Sequence, residues 1–165
     1  MQLEDFYDYK NQLMEDLLTN ETIVHLINEN VDIGDAAQLA YEQVFPCEYV
    51  PDTVEHGKTI VCFDVDVTQS LGKPFIKPVL YVWVMTHKSL LRLPEGGVRT
   101  DKLCSEICKA INGSRKYGLG ELELYSISRF APMTDFQGKA MVFNAVEFGR
   151  VYSPNKSTPS NRKHS

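Results

Sequence analysis

The stretch VLYVWVMTH, residues 79–87, is apolar at odd and even positions alike. A strand of this kind has no face to give to water, so it needs cover on both sides and neighbours at both edges. It is therefore expected at the centre of a sheet, and the rest of the chain must supply the sheet. TIVCFDVDV, residues 59–67, alternates instead. Val61, Phe63, Val65 and Val67 share one face, and Ile60, Cys62, Asp64 and Asp66 share the other. LELYSISRF (122–130) and KAMVFNAVEF (139–148) read as two further strands joined by APMTDFQG. SLGKPFIKP links the first two strands as a loop or hairpin, and GLGE (118–121) reads as a turn.

Helical spacing fills the gaps. Over residues 3–18, Leu3, Phe6, Tyr7, Leu13, Met14, Leu17 and Leu18 are expected on one face, with Glu4, Asp5, Asp8, Glu15 and Asp16 elsewhere. Asn20 breaks this helix and ETIVHLINEN begins a second. AAQLAYEQV reads as helix until Phe45-Pro46 stops it. Thr100 is the expected N-cap of a further helix, with Asp101 in its first turn. Leu103, Ile107 and Ile111 line that helix, and Asn112-Gly113 ends it.

The order is helices, two strands, a helix, two strands. The fold class is α+β: N-terminal helices, then a mainly antiparallel sheet of about four strands with one helix packed on a face. At 165 residues one domain is expected over 1–152. Residues 153–165 are polar and basic with no apolar anchor, and are expected to be a disordered tail. The acidic, amphipathic N-terminus is unlike a secretory signal, and no apolar run spans a bilayer. The expectation is a soluble protein made in a cytoplasm, with no membrane partner.

Charge is divided unevenly. Residues 1–55 hold 13 acidic residues and one lysine, a net −12, while the remainder carries +7. Such a split serves either docking within one chain or contact between the acidic side of one subunit and the basic side of the next.

Asp64 and Asp66 carry the enzymatic case. Two residues apart on one strand face, about 7 Å by strand rise, they could hold a divalent metal with a third carboxylate from Glu121, Glu123 or Glu147. The competing reading is a solvated or interface face, and it is the stronger. No phosphate-binding glycine loop, nucleophile elbow or H-E-x-x-H accompanies the pair. Cys104 and Cys108, one helical turn apart, could join His87 or His56 at zinc, but no ligand-spacing motif is present and buried thiols are the favoured reading. No catalytic residue, metal site or cofactor is assigned. The basic stretches lack a stacking platform for nucleic acid.

KSLLRLPEGGVR, residues 88–99, is a long connection carrying three leucines. Long loops in compact domains tend to be functional. Leu90, Leu91 and Leu93 are expected to dock on a neighbouring subunit or another assembly partner, with Arg92 and Arg99 anchoring the ends.

The stretches FPCEYVPDTVEHGKTIVCFDVDV, LYVWVMTHKSLLRLPEGGVRTDKLCSEICKAINGSRKYGLGELELYSISRF and FQGKAMVFNAVEF resemble a tailed-bacteriophage neck protein. The similarity is to the tail terminator (tail completion) and head–tail joining proteins. It spans about residues 3–150 and lies in element order and local texture, including Arg99-x-Asp101 opening a helix and a strand ending in Arg129-Phe130. The resemblance implies a structural virion protein of a phage or prophage. It implies a homo-oligomeric ring, six-fold, at the neck, which ends the tail tube and joins it to the head. The implied partners are further copies of itself, the tail tube protein and head-completion or connector proteins, with DNA passing through the lumen past Asp64 and Asp66. The alternatives are a small metal-dependent hydrolase or nuclease using Asp64 and Asp66, and a tail-assembly adaptor that forms no ring.

Overall fold

The computed structural model describes residues 3–51, 57–69, 76–117 and 120–146. The central apolar strand is β3, Ile76–His87, and it lies in the middle of a five-stranded sheet. Its neighbours are β2, Thr59–Gln69, and β5, Phe136–Val146, and both pairings are antiparallel. β4, Glu121–Met133, pairs antiparallel with β5 and forms one edge. At the other edge a two-residue strand, β1 (Val44–Phe45), runs parallel to β2. The spatial order is β1-β2-β3-β5-β4. The last hairpin turns through Thr134 and Asp135, so APMTDFQG is mostly strand. Six residues of the link between β2 and β3, the 118–119 part of GLGE, and the 153–165 tail lie outside the described residues.

The three helices, α1 (Leu3–Thr19), α2 (Glu21–Ile27) and α3 (Arg99–Ile111), cover one sheet face. Val61 and Phe63 of β2, Leu80, Val82 and Val84 of β3, and Met141 and Phe143 of β5 point into this core. They meet Leu13 and Leu17 of α1, Ile23 of α2, and Leu103 and Ile107 of α3. Asn20 caps α2, accepting a hydrogen bond from the Ile23 amide at 3.2 Å. Asn112 and Gly113, with φ of 76°, end α3.

Several expectations are corrected. AAQLAYEQV is not an α-helix: a 3-10 turn covers Ile33–Leu39, and Tyr41 adopts φ of 63°. The chain then extends so that Val44 and Phe45 can pair with Val61 and Cys62. Free edge groups on β2 offer those two residues more hydrogen bonding than another helical turn would. The sheet therefore gains a short fifth strand beside the four expected. On α1, Tyr9 is buried and Tyr7 is 72% exposed, because the inward stripe runs Tyr9–Leu13–Leu17 at i, i+4, i+8. Thr100 is not the N-cap of α3: Val98 precedes the first turn, and the Arg99 amide donates to the Leu91 carbonyl at 2.8 Å.

The second sheet face is not uniformly polar. Ile60, Cys62, Met85 and Phe136 form a smaller core there with Phe45 of β1. Tyr49 covers it, stacking on Phe45 with ring centroids 3.9 Å apart. Toward Asp64 and Asp66 this face opens to water.

Asp16 ties α1 to the turn after α3. Its carboxylate accepts hydrogen bonds from the Tyr117 hydroxyl at 2.7 Å, Lys116 Nζ at 3.1 Å and Gln12 Nε2 at 3.0 Å. Partial burial alone would raise its pKa, but these donors outweigh it and hold the carboxyl below its ordinary value of 3.8. A depressed carboxyl adds stability that is complete above that ordinary value and is lost as pH falls through the lower folded one. Below about pH 4 the melting temperature should therefore fall partly through Asp16. Asp16→Asn should cost about 2 kcal/mol at neutral pH, as expected for a charged hydrogen-bond acceptor, and flatten the acid limb. Thermal melts of both proteins from pH 2 to 7 check this, and parallel acid limbs would contradict it.

Candidate functional site

Three surface features answer to the expected site residues: the Asp64–Asp66 face, the loop after β3, and the acidic exterior of the first third.

Asp64 is already engaged. Its Oδ1 accepts from Lys10 Nζ at 2.6 Å, and the same ammonium donates to the Pro46 carbonyl at 2.9 Å. Asp66 is exposed. The register places Asp64 opposite Tyr81 and Asp66 opposite Val79 on β3. Tyr81 stacks on Trp83 with centroids 5.7 Å apart, so the pair borders an aromatic ledge. Glu121 and Glu123 lie on β4, three strand positions from β2. At about 4.8 Å per strand that is about 14 Å, beyond the reach of one coordination sphere. Glu121 is also held by Arg115 at 2.8 Å. Glu147 lies outside the described residues. Among the described residues, no three His, Cys, Asp or Glu side chains are grouped to hold a metal ion.

The cysteines follow the same pattern. Burial pushes the Cys104 thiol up to about 12, and Cys108 is raised for the same reason. A thiol so shifted stays protonated at neutral pH and is a poor ligand as it stands. His87 Nδ1 lies 2.7 Å from the Ser89 hydroxyl and accepts from the Ser89 amide at 3.2 Å. That histidine caps the short 3-10 turn Lys88–Leu90. His56 lies outside the described residues.

The loop from Lys88 to Val98 is tightly fastened. The Lys88 amide donates to the Asp135 carbonyl at 2.8 Å, and Lys88 Nζ pairs with the Asp135 carboxylate at 2.8 Å. Arg92 and Val98 form an isolated bridge, closed by Gly96 and Gly97 at φ of 97° and 88°. Only glycine adopts such angles without strain. This arrangement divides the expected interface residues. Leu93 is 4% exposed and belongs to the main core of its own chain. Arg99 is 6% exposed, donating from Nε to the Leu90 carbonyl at 2.8 Å and from Nη1 to the Leu26 carbonyl at 3.0 Å. Both are corrections: the loop turns Leu93 inward, and the Arg99 fork is spent on the open carbonyl end of α2. Leu90 and Leu91 are half-buried, and Arg92 is exposed. Leu91 and Val98 line a groove of about 420 Å³ against Arg129, Phe130 and Gln137.

The charge split is partly internal. Asp16 of the acidic third meets Lys116 of the basic remainder, whereas Lys10 with Asp64 pairs in the opposite sense. Asp8, Glu15, Glu21, Glu29, Asp32 and Asp35 nevertheless remain exposed. Sequence reasoning missed Gln43, which is buried, donates to the Ile27 and Thr59 carbonyls and accepts from Asn28. A lone polar residue before an apolar pair gave no signal of this.

The architecture defines a small α+β protein with helices on one side of its sheet, its exposed features spread over an edge, a face and a loop. The chain belongs to the YomW family, which it matches over residues 14–145. The name is that of genes from Bacillus phages and SPβ-like prophages, and the protein is phage-associated. No curated protein matches it.

Proposed function

We propose that this protein is a structural component of the phage neck, forming a homo-oligomeric ring that ends the tail tube and joins it to the head. The observation that carries the reading is the element order. Helices, two long strands, a covering helix and two more long strands are what the tail terminator resemblance implies, and apart from the two-residue β1 that order lies here in a phage-associated chain. The role is structural, with no catalytic residue. Further copies of the chain, the tail tube protein and head-completion proteins are the partners, and DNA only passes through.

In this reading the loop at Leu90, Leu91 and Arg92 is the contact with the tail tube. Its stapling to Asp135 and Arg99 holds it in a docking shape beforehand, which lowers the ordering cost of association. The test is native mass spectrometry and negative-stain imaging of the protein, alone and with purified tail tubes. A six-fold ring seated on tube ends is expected. Leu91→Asp should reduce seating at least tenfold while far-ultraviolet circular dichroism stays native. Monomers that ignore tube ends would overturn the reading. Micromolar Mg²⁺ binding lost in Asp64→Asn/Asp66→Asn would support the hydrolase instead.

A further inference from the structure

The sheet has edge segments that, among the described residues, lack a strand partner, and their chemistry matches. β1 covers β2 only at Val61 and Cys62, so β2 continues to Gln69 as an edge. Lys10, held on Asp64, marks where α1 borders it, and Asp64 Oδ1 also accepts from the Val65 amide at 2.8 Å, a local bond that strand pairing would exchange. At the far side β4 is the last strand; the 112–114 turn is hydrogen-bonded to Leu122 and Leu124 at its start, and beyond them it is an edge. Pairing irregularities between Leu124 and Ser126 and between Phe130 and Met133 disrupt its ends. The straight run between them carries Ile127, which is 48% exposed, and Tyr125 beside it is 74% exposed. Proteins usually blunt such apolar edges unless something pairs with them.

We propose that copies of this chain join head to tail by antiparallel pairing of the β2 edge of one with β4 of the next. The proposal rests on the ring reading for its second copy and names the contact that would close the ring. Successive antiparallel pairings make β2 and β4 run in opposite directions, so continuing the sheet from one copy to the next is antiparallel without any reversal. A repeated contact between two different edges is the heterologous kind that generates rings.

One register satisfies both faces. Asp66 lies opposite Ser126, Val65 opposite Ile127, and Asp64 opposite Ser128. Ser126 and Ser128 share the face of Val142 and Ala140, which is the open face of Tyr81 and Asp64. Two hydroxyl donors two residues apart then meet two carboxylates two residues apart. On the helix side, Val65 packs against the main core, and Ile127 lines a groove of about 620 Å³ beside Cys104 and Cys108 of α3. A slip of one residue would turn an aspartate toward that apolar side, which fixes the register.

The test places cysteines at Asp66→Cys and Ser126→Cys in a Cys47→Ser/Cys108→Ser background. Mild oxidation should give a covalent ladder ending at the ring number. Asp66→Cys with Ile127→Cys, out of register, should give none. Hydrogen exchange on the unaltered protein should show the 63–69 and 126–130 amides slowing at least tenfold on assembly. Oligomers that form without the ladder and without that protection would overturn the edge pairing and leave the ring standing. A chain that stays monomeric, even with tail tubes, would overturn both. A ladder that forms only with another protein's strand would overturn the second copy as the occupant.

Discussion

Replacing Gly138 with alanine is expected to abolish the folded state or to cost at least about 4 kcal/mol, a large part of the stability of a domain this size. Gly138 lies on β5 opposite Met85 of β3 and beside Phe130 of β4. A Cβ there would overlap the Val84 carbonyl oxygen and lie 2.8 Å from the Met85 Cα. These are backbone atoms of the central strand, and no side-chain rotation relieves the clash. Relief would require parting β3 from β5, where the main core and the smaller core are joined across the sheet. Gly34→Ala is the control, since among the described residues nothing beyond its chain neighbours lies within 4 Å of the position its Cβ would take. Thermal melts and near-ultraviolet circular dichroism of the two variants give the answer. Gly138→Ala melting within a few degrees of the parent would mean that the strands separate more readily than this packing allows.

Arg99→Met is expected to lower stability by about 3 kcal/mol, from two buried charge-assisted hydrogen bonds. For a chain of this length that corresponds to roughly 6–12 °C in melting temperature. The guanidinium joins three parts of the protein: the carbonyl end of α2 at Leu26, the loop at Leu90, and the start of α3 on which it sits. Methionine fills similar volume but leaves both carbonyls without this donor. Arg99→Lys should restore little, because one ammonium does not reproduce the planar fork. The loop should loosen with it, seen as faster hydrogen exchange from Leu90 to Val98. An unchanged melt with unchanged exchange would mean that the loop is held by Lys88 and Asp135 alone.

The covered core was legible in sequence wherever periodicity reports burial directly. β3 is central because VLYVWVMTH has no polar face, and β2 faces as its alternation requires, with Val61 and Phe63 inward. Leu103, Ile107 and Ile111 line α3 as their spacing predicts. The site was less legible. Leu90, Leu91, Leu93, Arg92 and Arg99 read alike as loop residues, yet two turn inward and three remain at the surface. Nothing local separates Leu91 from Leu93, and the Gly96-Gly97 reversal decides which one meets the core.

By itself the sequence determined α1, α2, α3 and the four long strands, since each is a local pattern of apolar residues repeating every 3.6 or every 2. Only the tertiary structure decided that Val44 and Phe45 leave the helical register, that Tyr9 rather than Tyr7 faces inward, and that Gly138 admits no side chain. It likewise decided that Arg99 and Gln43 are buried on carbonyls distant in the chain. Each of these depends on a partner brought close by folding: a free strand edge, a facing helix, a crossing backbone or an open helix end. Periodicity records which side of an element is apolar, but not what the rest of the chain places against it.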